Sequence, residues 1–137
     1  MSETLIQQHV LEPLFVYLMI AQKQYEDINY EGYYNVGPDE CDCVTTGELV
    51  SIFCEKFSGG INWKDVSEEN APHEASYLKL DCSKLKKTFG WAPVWSIDKT
   101  VEKVVEWTKV YFAKGNIPEI MDKQILEFIA DSEKTQA

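Results

Sequence analysis

A chain of 137 residues that is 45% hydrophobic and 12% aromatic has the size and apolar content of one globular domain with a buried core. Its 23 acidic side chains outnumber 13 basic ones, all of them lysine, and give a formal net charge of −10. A surface of that sign without guanidinium groups excludes nucleic acid and anionic membrane as partners, because both require basic groups that displace counterions from phosphates.

The longest unbroken apolar run, Leu14 to Ala21, is shorter than the roughly 20 residues that a bilayer-spanning helix needs. The segment Met1 to Leu5 has no basic stretch ahead of an apolar one, so no secretory signal is expected and the cytoplasm is the expected location. Flexible tips are expected over residues 1–4 and 131–137. Cys41, Cys43, Cys54 and Cys82 include no C-x-x-C pair, which predicts free thiols and no metal.

In chain order, Leu11, Leu14, Phe15, Leu18, Met19 and Ala21 recur at helical spacing, with Pro13 in a first turn that tolerates a missing amide, so a helix is predicted from near Glu12 to Tyr25. Gly32 to Gly37 is a short aromatic and β-branched run between glycines and predicts a buried strand. Thr45 and Glu48 have the spacing of a capping box, followed by Leu49, Ile52, Phe53 and Phe57 on one helical face and by Gly59-Gly60 as a stop.

Strands are also predicted at Ile61 to Val66 and at Tyr77 to Leu80. Asp81 is the predicted cap of a short helix through Phe89, closed by Gly90. Ser96 caps a longer helix carrying Val101, Val104, Val105, Thr108, Tyr111 and Phe112 and ending at Lys114-Gly115; Pro118 opens a last helix with Ile120, Met121, Ile125, Phe128 and Ile129 on one side. The expected fold class is mixed α/β, about five helices with a few short strands in a single domain, too few strands for a doubly wound sheet.

None of the seven glycines falls in a G-x-G-x-x-G or G-x-x-x-x-G-K-S/T arrangement, so the sequence offers no backbone cradle for a dinucleotide or a nucleoside triphosphate. No tyrosine has a lysine four residues on that would stabilise a catalytic phenolate; Tyr111 and Lys114 are three apart at a helix end. His73-Glu74 begins like a zinc-protease helix, but Tyr77 stands where the second histidine is required.

Two polar clusters at element junctions are the candidate binding residues: His9 and Glu12 at the start of the first helix, and His73 and Glu74 ahead of the third predicted strand. For His9 and Glu12 the alternative is a satisfied buried histidine and an acid paired with the helix dipole. Of the tryptophans at 63, 91, 95 and 107, Trp63 is the one expected to be exposed for stacking.

Taken in order, Gln8-His9-Val10-Leu11-Glu12-Pro13-Leu14, Tyr34-Asn35-Val36-Gly37-Pro38, His73-Glu74-Ala75, Leu78-Lys79-Leu80-Asp81-Cys82-Ser83-Lys84, Gly90-Trp91-x-Pro93-x-Trp95 and Asp122-Lys123-Gln124-Ile125 resemble the carboxy-terminal portion of CDP-glucose 4,6-dehydratases, over roughly Gln8 to Ile129. That resemblance implies the small nucleotide-sugar-binding domain of an extended short-chain dehydrogenase/reductase. In that family an amino-terminal Rossmann domain holds NAD and supplies the tyrosine and lysine that turn CDP-glucose into CDP-4-keto-6-deoxyglucose, in deoxysugar and lipopolysaccharide biosynthesis.

The resemblance implies His9, Glu12, His73 and Glu74 as substrate-side residues, and no catalytic residue and no cofactor in this chain; the exposed Trp63 joins them as a substrate-binding candidate on its own reading. It also implies a Rossmann partner in cis or in trans, a weakly held CDP-sugar, and self-association through surface that such a partner would cover. The family pattern begins Arg-Pro-Trp where this chain has Leu5-Ile6-Gln7, which removes a guanidinium suited to bidentate phosphate recognition. Two other readings remain open: a stand-alone interaction module derived from such an enzyme, and the same domain of an epimerase or dehydratase acting on another nucleotide sugar.

Overall fold

The computed structural model describes residues 7–66 and 80–135, together with the backbone of Thr4 and Leu5. Within them lie helices α1 (Leu11–Glu26), α2 (Thr46–Phe57), α3 (Ser83–Phe89), α4 (Ile97–Phe112) and α5 (Ile117–Thr135). A single antiparallel ladder joins β1 (Thr4–Leu5) to β2 (Val44–Thr45), with Thr4 opposite Thr45 and Leu5 opposite Val44.

The helix ends follow their local chemistry. Thr45 and Glu48 form the reciprocal capping box at the start of α2: the Glu48 amide donates to Thr45 Oγ1 at 3.2 Å, and the Thr45 amide donates to Glu48 Oε2 at 2.7 Å. Ser96 Oγ accepts the Lys99 amide at 3.3 Å and caps α4. Asp81 stands one residue outside the cap position of α3, which Cys82 fills, yet Asp81 Oδ1 still accepts the Ser83 amide at 2.8 Å. Gly90 closes α3 in the left-handed region at φ 66°, where a side chain would be strained.

The strands differ from expectation. Gly32 to Gly37 and Ile61 to Val66 carry no strand, Leu80 is irregular, and Tyr77 and Leu78 lie outside the described residues. An extended run becomes a strand only when a neighbour takes up its backbone groups. Here Tyr34 and Asn35 instead attach their segment to α3 by side chains, through a ring contact of Tyr34 with Phe89 at 5.1 Å and a bond from Asn35 Nδ2 to the Asp81 carbonyl at 3.1 Å. The described part is therefore mostly helical rather than mixed α/β. At the far end, α5 continues through Asp131 to Thr135, across the start of the segment expected to be a flexible tip.

The core has two centres. Val16 of α1 meets Leu85 of α3, Cys82 and Trp91, with Phe15, Met19, Ile20, Val36 and Phe89 around them. Ile97, Val101 and Val105 of α4 pack against Leu49, Ile52, Phe53 and Phe57 of α2. Trp95 and Phe128, both nearly fully buried, pack edge-on with centroids 5.0 Å apart, and Phe128 of α5 also meets Phe15 beside the first centre. Among the described residues no helix is long and apolar enough to cross a membrane.

Candidate functional site

The start of α1 is where the sequence places two candidates, and the structure brings them together for different reasons. Val10, at the cap position, offers no side-chain acceptor; His9 compensates, its Nδ1 accepting the Leu11 amide at 3.3 Å and its carbonyl the Glu12 amide at 3.0 Å. With Nδ1 used as an acceptor, the ring proton sits on Nε2. The His9 ring stands edge-on to Trp95 with centroids 4.9 Å apart. Burial, and then the positive charge of Lys103, hold the imidazole below its ordinary pKa and so in the neutral form.

Glu12 is completely buried. Its Oε1 accepts the amides of Val94 at 2.9 Å and Trp95 at 2.7 Å, which ties α1 to the turn that opens α4. Oε2 has no hydrogen-bond partner. Burial raises the carboxyl pKa, opposed by the two amides. In the described residues Glu12 is thus a clamp between segments 82 and 83 positions apart in sequence, turned into the protein rather than toward a cleft.

Trp95 completes this junction. Its indole N–H donates to Asp131 Oδ2 at 3.1 Å and its ring packs edge-on against Phe128, so one residue fastens α1, α4 and α5. Spacing could flag the aromatic but not its partners, since Asp131 lies 36 residues away. Lys103 is a second group that periodicity hides. It sits 2% exposed on α4, with Nζ 2.7 Å from Glu127 Oε2 and 3.1 Å from Glu106 Oε1. Lys99 also reaches Glu127, at 2.8 Å, and the two lysines hold its carboxyl below the usual range, Lys103 first.

His9 borders two hollows. One, of about 360 Å³, lies between Gln7 to Val10 and residues of α2 and α4. The other, of about 340 Å³, is an apolar groove between α1, α4 and α5. Trp63 occupies a different hollow of about 420 Å³ with Glu55, Ser58, Gly59 and Gly60. It is 40% exposed, and its indole N–H donates to Ser51 Oγ at 3.1 Å. Trp91 and Trp95 are buried, as the core expectation requires, whereas Trp107 is only half-buried and lines the apolar groove. His73 and Glu74 lie outside the described residues.

A fourth hollow, of about 350 Å³, opens beside Gly37 and Pro38, where Lys86 pairs with Asp39. Cys43 and Cys82 line it, and burial pushes both thiols up, which keeps them protonated and poor nucleophiles. Gly59, Gly60, Gly90 and Gly115 follow the carboxy-terminal ends of α2, α3 and α4, the negative ends of the helix dipoles. Gly47 lies in the first turn of α2, but the Glu48 carboxylate already occupies that end.

No family model matches the chain. Among curated proteins it is 34% identical over 124 residues to the CDP-glucose 4,6-dehydratase of Salmonella typhimurium (strain LT2), an alignment that takes in 90% of this chain and 34% of that protein. The resemblance carried by the quoted segments is thereby borne out, and the chain spans about a third of the length of the curated relative it matches.

Proposed function

We propose that the chain is a nucleotide-sugar-binding part of a CDP-glucose 4,6-dehydratase-like enzyme, and that the hydride chemistry of that enzyme belongs to residues outside it. The observation that carries the reading is the 34% identity running through 90% of the chain. It is supported by the sequence, which offers neither a glycine cradle for pyrophosphate nor a tyrosine with a lysine four residues on.

The ligand side of the proposal rests on His9, His73, Glu74 and Trp63. Trp63 is half-exposed, with its indole nitrogen held by Ser51, so a ring face is available to a base. His9 is neutral and borders open hollows. Glu12 contributes by fixing the His9 turn against Trp95, because its own carboxylate is engaged inside the protein.

Tryptophan fluorescence titration with CDP-glucose, CDP and uridine diphosphate tests this reading. Saturable quenching by CDP-glucose is expected, with half-saturation in roughly the millimolar range because Leu5-Ile6-Gln7 supplies no guanidinium fork for phosphate, and with competition by CDP. Trp63→Phe removes most of the signal change. Absence of any saturable response to CDP-glucose contradicts the proposal.

A further inference from the structure

The hollow of about 360 Å³ between Gln7 to Val10, α2 and α4 has an apolar wall that two polar atoms interrupt. Leu49 and Phe53 of α2 and Ile97, Val101 and Val104 of α4 make the wall. Thr100 lies in the same stripe of α4, one turn from Ile97 and from Val104. It is 7% exposed, and its Oγ1 is buried with no hydrogen-bond partner. Gln8, which also lines the hollow, has a buried Oε1 that is equally unpartnered.

Local bonding satisfies the comparable groups nearby. Thr108, two turns on along α4, returns its hydroxyl to the Val104 carbonyl at 2.7 Å, whereas the Ser96 carbonyl four residues before Thr100 is taken by the Thr100 amide alone. Gln124 gives its side-chain amide to the Lys103 carbonyl at 2.8 Å. A buried hydroxyl and a buried amide oxygen without partners are costly, and such groups are met by ordered water or by a ligand. Water alone is a poor occupant here, because the hollow has room for about twelve molecules at roughly 30 Å³ each, and most of them would lie against apolar carbon.

The lining also sets the charge of an occupant. No charged side chain lines the hollow among the described residues, and His9 at its edge is held neutral, so a phosphate or carboxylate finds no cation there. A hydroxyl supplies the proton that Gln8 Oε1 lacks and the acceptor that the Thr100 hydroxyl lacks.

We propose that this hollow is a binding site for an uncharged ligand of about ten non-hydrogen atoms that carries a hydroxyl on an apolar body. It does not rest on the nucleotide-sugar reading above. Leu49 and Phe53 lie on one side of α2, and the hollow of Trp63 opens past Ser51 and Glu55 on the other.

Methyl-resolved proton–carbon NMR of the chain with 4-propylphenol tests this, beside its methyl ether 4-propylanisole, which cannot donate, and 4-propylbenzoate, which is charged. Saturable shifts of the Leu49, Ile97 and Val101 methyls are expected, with the ether bound about tenfold more weakly than the phenol and the carboxylate more weakly still. Gln8→Met brings phenol and ether to equal affinity, since it removes the acceptor that only the phenol uses. Thr100→Val, which matches threonine in shape, weakens both by roughly fivefold, with far-UV circular dichroism unchanged. No saturable binding of the phenol, equal binding of the ether or the carboxylate, shifts confined to the Met121 and Ile125 methyls of the other groove, or affinities indifferent to either variant overturns the proposal.

Discussion

Helix α1 has two apolar sides with different fates. Its Val16 side is sealed under Leu85 and Trp91, whereas the side bearing Leu14, Tyr17 and Leu18 faces solvent. A helix that is apolar all round is built to be covered all round. The contrast teaches that the described residues complete one interior and leave the other side of the same helix for a further surface to cover.

Substitutions that test the sealed side have the largest expected effects. Leu85→Ala, at a fully buried position, is expected to cost about 3 to 4 kcal/mol in urea unfolding, since it empties a packed site. Glu12→Ala comes next at about 3 kcal/mol, because the amides of Val94 and Trp95 lose their acceptor inside the protein. Glu12→Gln keeps an acceptor for both amides and is expected to cost less than about 1 kcal/mol.

The two residues at this junction respond to pH with opposite signs. Because the Glu12 carboxyl is raised above 4.5 in the fold, its contribution is greatest below that pH and declines as pH rises through the folded value. The lowered His9 contributes fully above 6.5, and that contribution is lost as pH falls below it. A stability profile of Glu12→Gln against the native chain therefore shows a gap that shifts in favour of the variant between acid and neutral pH. A gap that does not move with pH contradicts the burial of this carboxylate.

Between the two sides of the comparison lies the Lys103 network. Lys103→Met is expected to cost about 2 kcal/mol, less than breaking an isolated buried pair, because Glu127 keeps Lys99 at 2.8 Å. Thr45→Ala removes the cap of α2 and is expected to cost about 1 kcal/mol, read as a lowered urea midpoint. On the open side, Leu18→Glu, at a position 72% exposed, is expected to change folding stability by less than about 0.5 kcal/mol. A large folding penalty there erases the distinction between the two sides.

The helices were legible because each is announced by local chemistry: the Thr45–Glu48 box, the Ser96 cap, Gly90 in the left-handed region, and apolar spacing along α4 and α5. The strands were not, since a strand depends on a neighbour that sequence spacing does not supply, and Gly32 to Gly37 found α3 instead. The candidate site was legible in part. Trp63 reads correctly as the exposed indole, and His9 and Glu12 do share a junction, but the inward turn of Glu12 is decided by amides more than 80 residues away. Lys103 escaped notice because a buried lysine follows the helical stripe of its apolar neighbours and is betrayed only by carboxylates on α5.

Saturation-transfer difference NMR on the chain with CDP-glucose and NAD in one tube separates sugar-nucleotide binding from redox machinery directly. The expected spectrum shows transfer to the cytosine and glucose protons and none to the nicotinamide ring. Transfer to the nicotinamide, or no transfer to CDP-glucose at all, contradicts the account.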